Sequence, residues 1–257
     1  MAVPSAVAEP VDLGKLIGRA MIEWVLLVII ACSVVQSVFG MGLLVFGTPS
    51  LLLLGFEFAE VLGYLLPASI SISAIQVFAD GRAAILISRN LWVYCVPMIG
   101  AGLALSLFAA GELSIDRIVG GVLVLSVAGV VVAPMRAFQL SMVRRYSAHY
   151  HAVMGIVHGL SNMGGSLLSV YAATRGGNKS ETRYLVAYYY FVFSTWQVIV
   201  LLATGQLDFS YNLATPVISV PVYLLLGNRV FRYASEPVFK ALFTAFMAAY
   251  GAALLIG

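Results

Sequence analysis

Apolar runs separated by short polar breaks fill almost the whole chain. Residues 21–38 form the first, and after Phe39 and Gly40 a shorter run, 41–54, carries Gly47, Thr48 and Pro49. Residues 58–78, 91–109 and 118–132 follow, and then a polar connector, 136–151, carries Arg144 and Arg145. Four more apolar runs, 152–173, 184–203, 213–226 and 238–256, complete the chain. A helix crossing a bilayer needs about 20 mostly apolar residues. Runs of this length predict an all-α polytopic membrane protein, with the membrane helices as the fold itself in one membrane domain.

Two runs are spoiled in a similar way. Residues 36–49 read QSVFGMGLLVFGTP and residues 158–166 read HGLSNMGGS, each a stretch of glycine and polar residues inside an apolar helix. Further matches accompany them. At an offset of 121, Gly55, Glu60, Ser73 and Gln76 fall on Gly176, Glu181, Ser194 and Gln197, and at 119 Gly40 falls on Gly159. Such repetition predicts a duplication. The first repeat covers 1–135, with a broken helical hairpin at 21–54 and helices at 58–78, 91–109 and 116–133. The second covers 136–257, with a hairpin at 150–173 and helices at 183–203, 212–227 and 236–256.

Loop charge sets the expected orientation, because Lys and Arg near span ends favour the cytoplasm. The loops holding Arg82 and Arg89, 136–145, 175–183 and 229–240 are basic, whereas those holding Glu57 and Glu60, Glu112 and Asp116, and Asp208 are acidic. If every run crossed once, 136–145 and 175–183 would lie on opposite sides. A hairpin around His158 that leaves by the face it entered removes the conflict. One hairpin plus three crossings per half is an odd count, so the second repeat is expected to be inverted relative to the first. Lys15 and Arg19 then lie outside, and the competing topology is one broken crossing over 21–54 with a cytoplasmic N-terminus.

Composition narrows the class. Hydrophobic residues make up 61% and charged residues 10% of the chain, against roughly 45–50% and about 25% in soluble domains. The net charge of +3 resides in short loops, so nucleic acid is not an expected partner. Cys32 and Cys95 lie inside apolar runs and read as small buried hydrophobes. Neither a metal cluster nor a cofactor is expected, and no Walker motif marks an ATP-driven pump. The residues before position 20 lack the pattern of a cleaved signal peptide, so the N-terminus is expected to stay attached. Expected partners are a small anionic substrate and the lipid bilayer, with a homodimer left open.

Backbone that leaves helical geometry within a bilayer must be buried in protein or line a wet cavity. Paired broken segments at corresponding places in two halves point to a transporter's substrate site, and helix N-termini there favour anions. The substrate-binding candidates are Gln36, Ser37, Gly40, Gly42, Thr48 and Gln76 from the first half. From the second half they are His158, Ser161, Asn162, Gly164, Gly165, Ser166, Tyr189 and Gln197. Among them His158 reads as the ionisable side chain well inside an apolar run, which is a functional signal. Of Tyr188, Tyr189 and Tyr190, at most one or two can face a pathway. Gly100, Gly102, Gly120 and Gly121 read as helix-packing glycines, and Trp24 and Trp92 as interface anchors. No catalytic residue is assigned: His158, Ser161 and Asn162 lack the geometry of a nucleophile, base and orienting group.

The segments QSVFGMGLLVFGTPSLLLLGF and GIVHGLSNMGGSLLSVYAATRGGNKSETRYLVAYYYFVFSTWQ resemble the TauE/SafE sulfite exporter family, also described as sulfonate uptake permeases. Its most specific parts here are the glycines leading to Pro49 and Asn162 to Gly165, followed by Lys179 and Arg183. The first copy reads Gly-Met-Gly-Leu-Leu where many relatives carry a denser glycine cluster. The resemblance implies a carrier in the bacterial inner membrane for sulfite, sulfoacetate or a related organosulfonate, working by alternating access. An anion channel is the alternative within transport, and an intramembrane enzyme the alternative outside it. No lysine or arginine falls inside a predicted membrane core, which favours a small anion.

Overall fold

The computed structural model describes residues 13–80, 87–109, 114–175, 179–206, 214–233 and 236–256. Glu9, Asp12, Arg82, Glu112, Gly176 and Asp208 lie outside them. The described residues are helices and short connections, with no strand among them. Elements α1 (Leu13–Phe39) and α2 (Leu43–Leu53) flank the first break, and α3 (Phe58–Asp80), α4 (Val96–Phe108) and α5 (Ile115–Val131) follow. Next come α6 (Ala133–Arg145), α7 (Ser147–Ser161) and α8 (Gly165–Arg175), with the second break between the last two. The chain ends with α9 (Lys179–Ala203), α10 (Thr215–Val222), α11 (Asn228–Tyr233) and α12 (Glu236–Ile256).

Four helical stretches, Met21–Phe39, Phe58–Ala79, Leu91–Phe108 and Ser180–Ala203, are long and apolar enough to cross a membrane. The pair α5 and α6, bent by 98°, makes a fifth if counted as one span. Trp24 and Trp92 are exposed on the outside of such spans, where interface anchors belong. The helix before the first break is thus itself long and apolar enough to cross a membrane.

The connector expected at 136–151 is largely helical. Pro134 opens α6 with its fixed φ. Met135, Phe138 and Met142 then recur at helical spacing and line a shared apolar cavity of about 360 Å³ with α5, α7 and α8. Arg136, Arg144 and Arg145 keep the average polar, and that average hid the periodicity.

Small residues let the helices approach closely. On α4 a Cβ at Gly102 would lie 2.6 Å from the Ile156 carbonyl oxygen of α7. Reciprocally, a Cβ at Gly159 of α7 would overlap the Ile99 carbonyl. Gly120 on α5 packs in the same way against Gly251 on α12, whereas nothing lies within 4 Å of a Cβ at Gly121. Association of this kind, without a hydrophobic drive between helices, rests on close packing and interhelical hydrogen bonds.

Some of the contacts recur between the two halves of the chain, while others, such as α1 with α3, do not. Helix α4 packs on α7 as α10 and α11 pack on α1, and α4 meets α9 as α10 meets α3. The pairs α3–α9 and α5–α12 each map onto themselves. Two π turns, Leu91–Cys95 and Tyr223–Gly227, touch the first arm of the opposite half. There the Cys95 carbonyl abuts Gly155, and Gly227 abuts Ser37.

Candidate functional site between two chain reversals

Both breaks turn the chain back on itself. In a continuous helix residue 42 would stand about 15 Å beyond residue 32 at 1.5 Å per residue. Instead, a Cβ placed on Gly42 would lie 2.5 Å from the Gln36 nitrogen and 2.9 Å from the Cys32 carbonyl oxygen. Gly164 repeats this geometry: its Cβ would lie 2.5 Å from His158 Cβ and 3.0 Å from the Met154 carbonyl oxygen. Cys32 and Met154, like Gln36 and His158, are 122 positions apart.

Each reversal is spelled the same way, as a left-handed residue, a methionine and a glycine. Gly40 has φ 74° and Asn162 φ 64°, and Asn162 is the only non-glycine residue with positive φ among the described residues. Asparagine tolerates this region better than other side chains. The structural counterpart of Gly40 is therefore Asn162 and not Gly159. Gly159 is instead a packing glycine against α4.

Most of the predicted polar side chains converge around these reversals. Asn162 Nδ2 donates to Thr48 Oγ1 at 2.9 Å, a bond that ties the second tip to α2. His158 Nε2 and Gln197 Oε1 lie 3.2 Å apart, and since an amide oxygen only accepts, the ring nitrogen donates. In the first half Gln36 Oε1 accepts the Leu43 N–H at 3.1 Å, satisfying an orphan donor at the start of α2. Gln36 Nε2 donates to the Ser69 carbonyl and to Ser73 Oγ, both at 3.1 Å. Gln76 Nε2 donates to the carbonyls of Gln36 and Ser37. Ser194 Oγ donates to Ser69 Oγ at 3.1 Å and links the two halves where α3 crosses α9.

Other candidates have local roles. Ser37 Oγ donates to the Ser33 carbonyl, Ser161 Oγ to the Val157 carbonyl and Ser166 Oγ to the Met163 carbonyl. Gly165 opens α8, and its Cα faces the Tyr190 hydroxyl and Val45. Tyr189 points elsewhere. Its hydroxyl meets His151 Nε2 at 3.0 Å, and His151 Nδ1 lies 2.7 Å from the Ser147 carbonyl oxygen. Tyr190, the next residue, is the tyrosine at the tip.

Some of the buried polar atoms without a protein partner lie beside these reversals. Among the described residues they include Asn162 Oδ1, His158 Nδ1, Gln197 Nε2, Gln76 Oε1 and the Tyr190 hydroxyl. All five side chains are at most 1% exposed. An unpaired buried polar group costs about 1–3 kcal/mol. Asn162 Oδ1, His158 Nδ1, the Tyr190 hydroxyl and Gln197 Nε2 belong to the second reversal and the face of α9 against it, and Gln76 Oε1 to the first.

Two side chains that the sequence reading placed in polar connections, His151 in the connector and Arg183 in a basic loop, are buried. His151 is fully buried, and Arg183 is 9% exposed. The Arg183 guanidinium lies 3.8 Å from the centre of the Phe231 ring, and its Nη1 approaches the Ser37 carbonyl at 3.4 Å. A buried arginine thus stands behind the first reversal, although no predicted membrane core contained one.

Comparison with protein families decides what kind of molecule carries this arrangement. The family model described as Sulfite exporter TauE/SafE matches residues 25–254. The chain belongs to the TauE/SafE sulfite exporter family. It is therefore a membrane protein of a transporter family, and both reversals fall inside the matched region. No match was found among curated proteins or among solved structures.

Proposed function

We propose that this TauE/SafE member is a secondary transporter of a small sulfur oxyanion, with sulfite as its first substrate, in the bacterial inner membrane. The anion binds between the two reversals, where the Tyr190 hydroxyl and Gln197 Nε2 are open donors beside the start of α8. A helix N-terminus adds a partial positive charge there, and the glycines let an anion approach the backbone. Asn162, anchored by Thr48, fixes the tip, while Gln36 and Gln76 hold the opposite tip in register.

The two halves are inverted repeats in this reading. Helices α3, α4 and α5 separate the hairpins by an odd number of crossings, so the hairpins enter from opposite faces. Rocking of one half against the other about the α3–α9 crossing alternates access to the site. The single observation carrying the proposal is the set of unpartnered buried polar atoms, Asn162 Oδ1, His158 Nδ1, the Tyr190 hydroxyl and Gln197 Nε2, at the second reversal where α2 and α9 pack on it. Purified protein in vesicles is expected to give saturable sulfite flux that sulfoacetate competes for. Non-saturating conductance, or chemical turnover of sulfite without flux, would overturn the proposal.

A further inference from the structure

Equivalent places in the two reversals carry different chemistry. Gln36 precedes Gly42 by six residues, as His158 precedes Gly164, and both side chains are fully buried. The Gln36 amide is engaged at both atoms, with Leu43, Ser69 and Ser73. His158 puts an ionisable ring at the matching position, and that ring is only half engaged. Its Nε2 donates to Gln197, so the neutral ring carries its lone pair on Nδ1, which has no partner among the described residues.

Apart from the Gln197 amide, aromatic rings and helix backbone pack around the ring. Phe193 and Tyr190 of α9 flank it, at 4.5 and 6.0 Å between ring centres, and Gly164 lies against its Cβ. Helix α4 meets α7 through Ile99, Gly102 and Leu103 against Gly159, and the π turn before α4 brings Cys95 against Gly155. Tyr190 is the only titratable side chain placed beside the ring among the described residues, and no carboxylate, lysine or arginine of those residues is placed against it. On its own helix, His151 is two turns away and bonded to Ser147 and Tyr189.

We infer that His158 is the binding site of a proton that travels with the anion. The inference rests on the anion site described above. With the site empty the ring is neutral; as the anion binds, Nδ1 takes one proton from solvent, and it returns that proton when the anion leaves. No other bond is made or broken.

The physical reason is mutual. An imidazolium alone in an apolar membrane interior is costly, and so is an anion alone. Brought together they offset each other's desolvation, so each raises the affinity of the other by the same factor. Gln36 cannot take up a proton, so its half contributes no second one.

The test measures protons directly. Sulfite binding to the purified full-length protein is titrated calorimetrically in buffers of different ionisation enthalpy, with sulfite's own protonation measured without protein. The wild type is expected to take up about one proton per sulfite beyond that control, and its affinity to weaken by up to tenfold per pH unit above the ring's titration. His158→Gln is expected to show neither effect, and in vesicles to lose the acceleration of sulfite flux that a pH gradient gives the wild type. Wild-type uptake no greater than the protein-free control overturns the inference, whether or not the variant folds. Saturable wild-type flux without proton uptake overturns it while leaving sulfite transport standing. No saturable flux at all overturns both.

Discussion

Replacing Asn162 separates the shape of the second reversal from its chemistry. In Asn162→Ala the interhelical bond to Thr48 Oγ1 at 2.9 Å is lost, worth about 0.6 kcal/mol on average between membrane helices. The alanine Cβ must also sit at φ 64°, and left-handed geometry costs an L-residue roughly 1–2 kcal/mol. The sum is about 2 kcal/mol. Asn162→Gly loses the same bond but accepts the backbone angle freely, so it should cost only about 0.6 kcal/mol. Thermal unfolding in detergent should therefore rank wild type above Asn162→Gly above Asn162→Ala. Sulfite flux in vesicles should rank differently, with both variants strongly impaired, because the amide is absent from both. If Asn162→Gly transports like the wild type, the amide has no place in the site, and only the turn matters.

Tyr190→Phe removes a buried hydroxyl that has no protein partner, so stability should stay level or rise. Sulfite affinity should fall roughly tenfold to a hundredfold, as for loss of a hydrogen bond to a charged group, and equal affinity would take the hydroxyl out of the site. Gly159→Val should destabilise the α4–α7 contact by about 1–3 kcal/mol or more through overpacking. Gly121→Ala, with open space at its Cβ, should be neutral or stabilise by up to about 1 kcal/mol; unfolding of the two variants compares them. Cysteines placed at Ser147 and Ser180 should be labelled from the same side of the membrane, as a hairpin between them requires. Labelling from opposite sides would make that segment a single crossing.

Glycine, asparagine and histidine inside apolar runs made both reversals legible, because such residues disturb hydropathy at the points where the helix ends. The companion polar groups Gln76 and Gln197 were legible through their offset of 121. Other features were hidden for identifiable reasons. In α6 three arginines outweighed an apolar stripe that only a helical projection separates. Tyr188, Tyr189 and Tyr190 step about 100° apart around α9, so only the packing of α9 on α8 shows that Tyr190 and not Tyr189 meets Gly165. Arg183 resembled a loop cation because Lys179, Glu181 and Arg183 alternate in charge. Helix α9 begins at Lys179, which carries Arg183 into the second turn, behind the first tip and onto Phe231. Ser69 has no identical residue at an offset of 121, where Tyr190 stands, so the repeat did not single out either.

The proposed anion site between the two reversals can be located with selenite. Selenite carries the charge and shape of sulfite with a selenium atom that scatters anomalously. One strong selenium peak is expected within hydrogen-bonding reach of Tyr190, Gln197 and the start of α8, lost in Tyr190→Phe at limiting selenite. A peak elsewhere in the fold, with none between Asn162 and Tyr190, would contradict the proposed site.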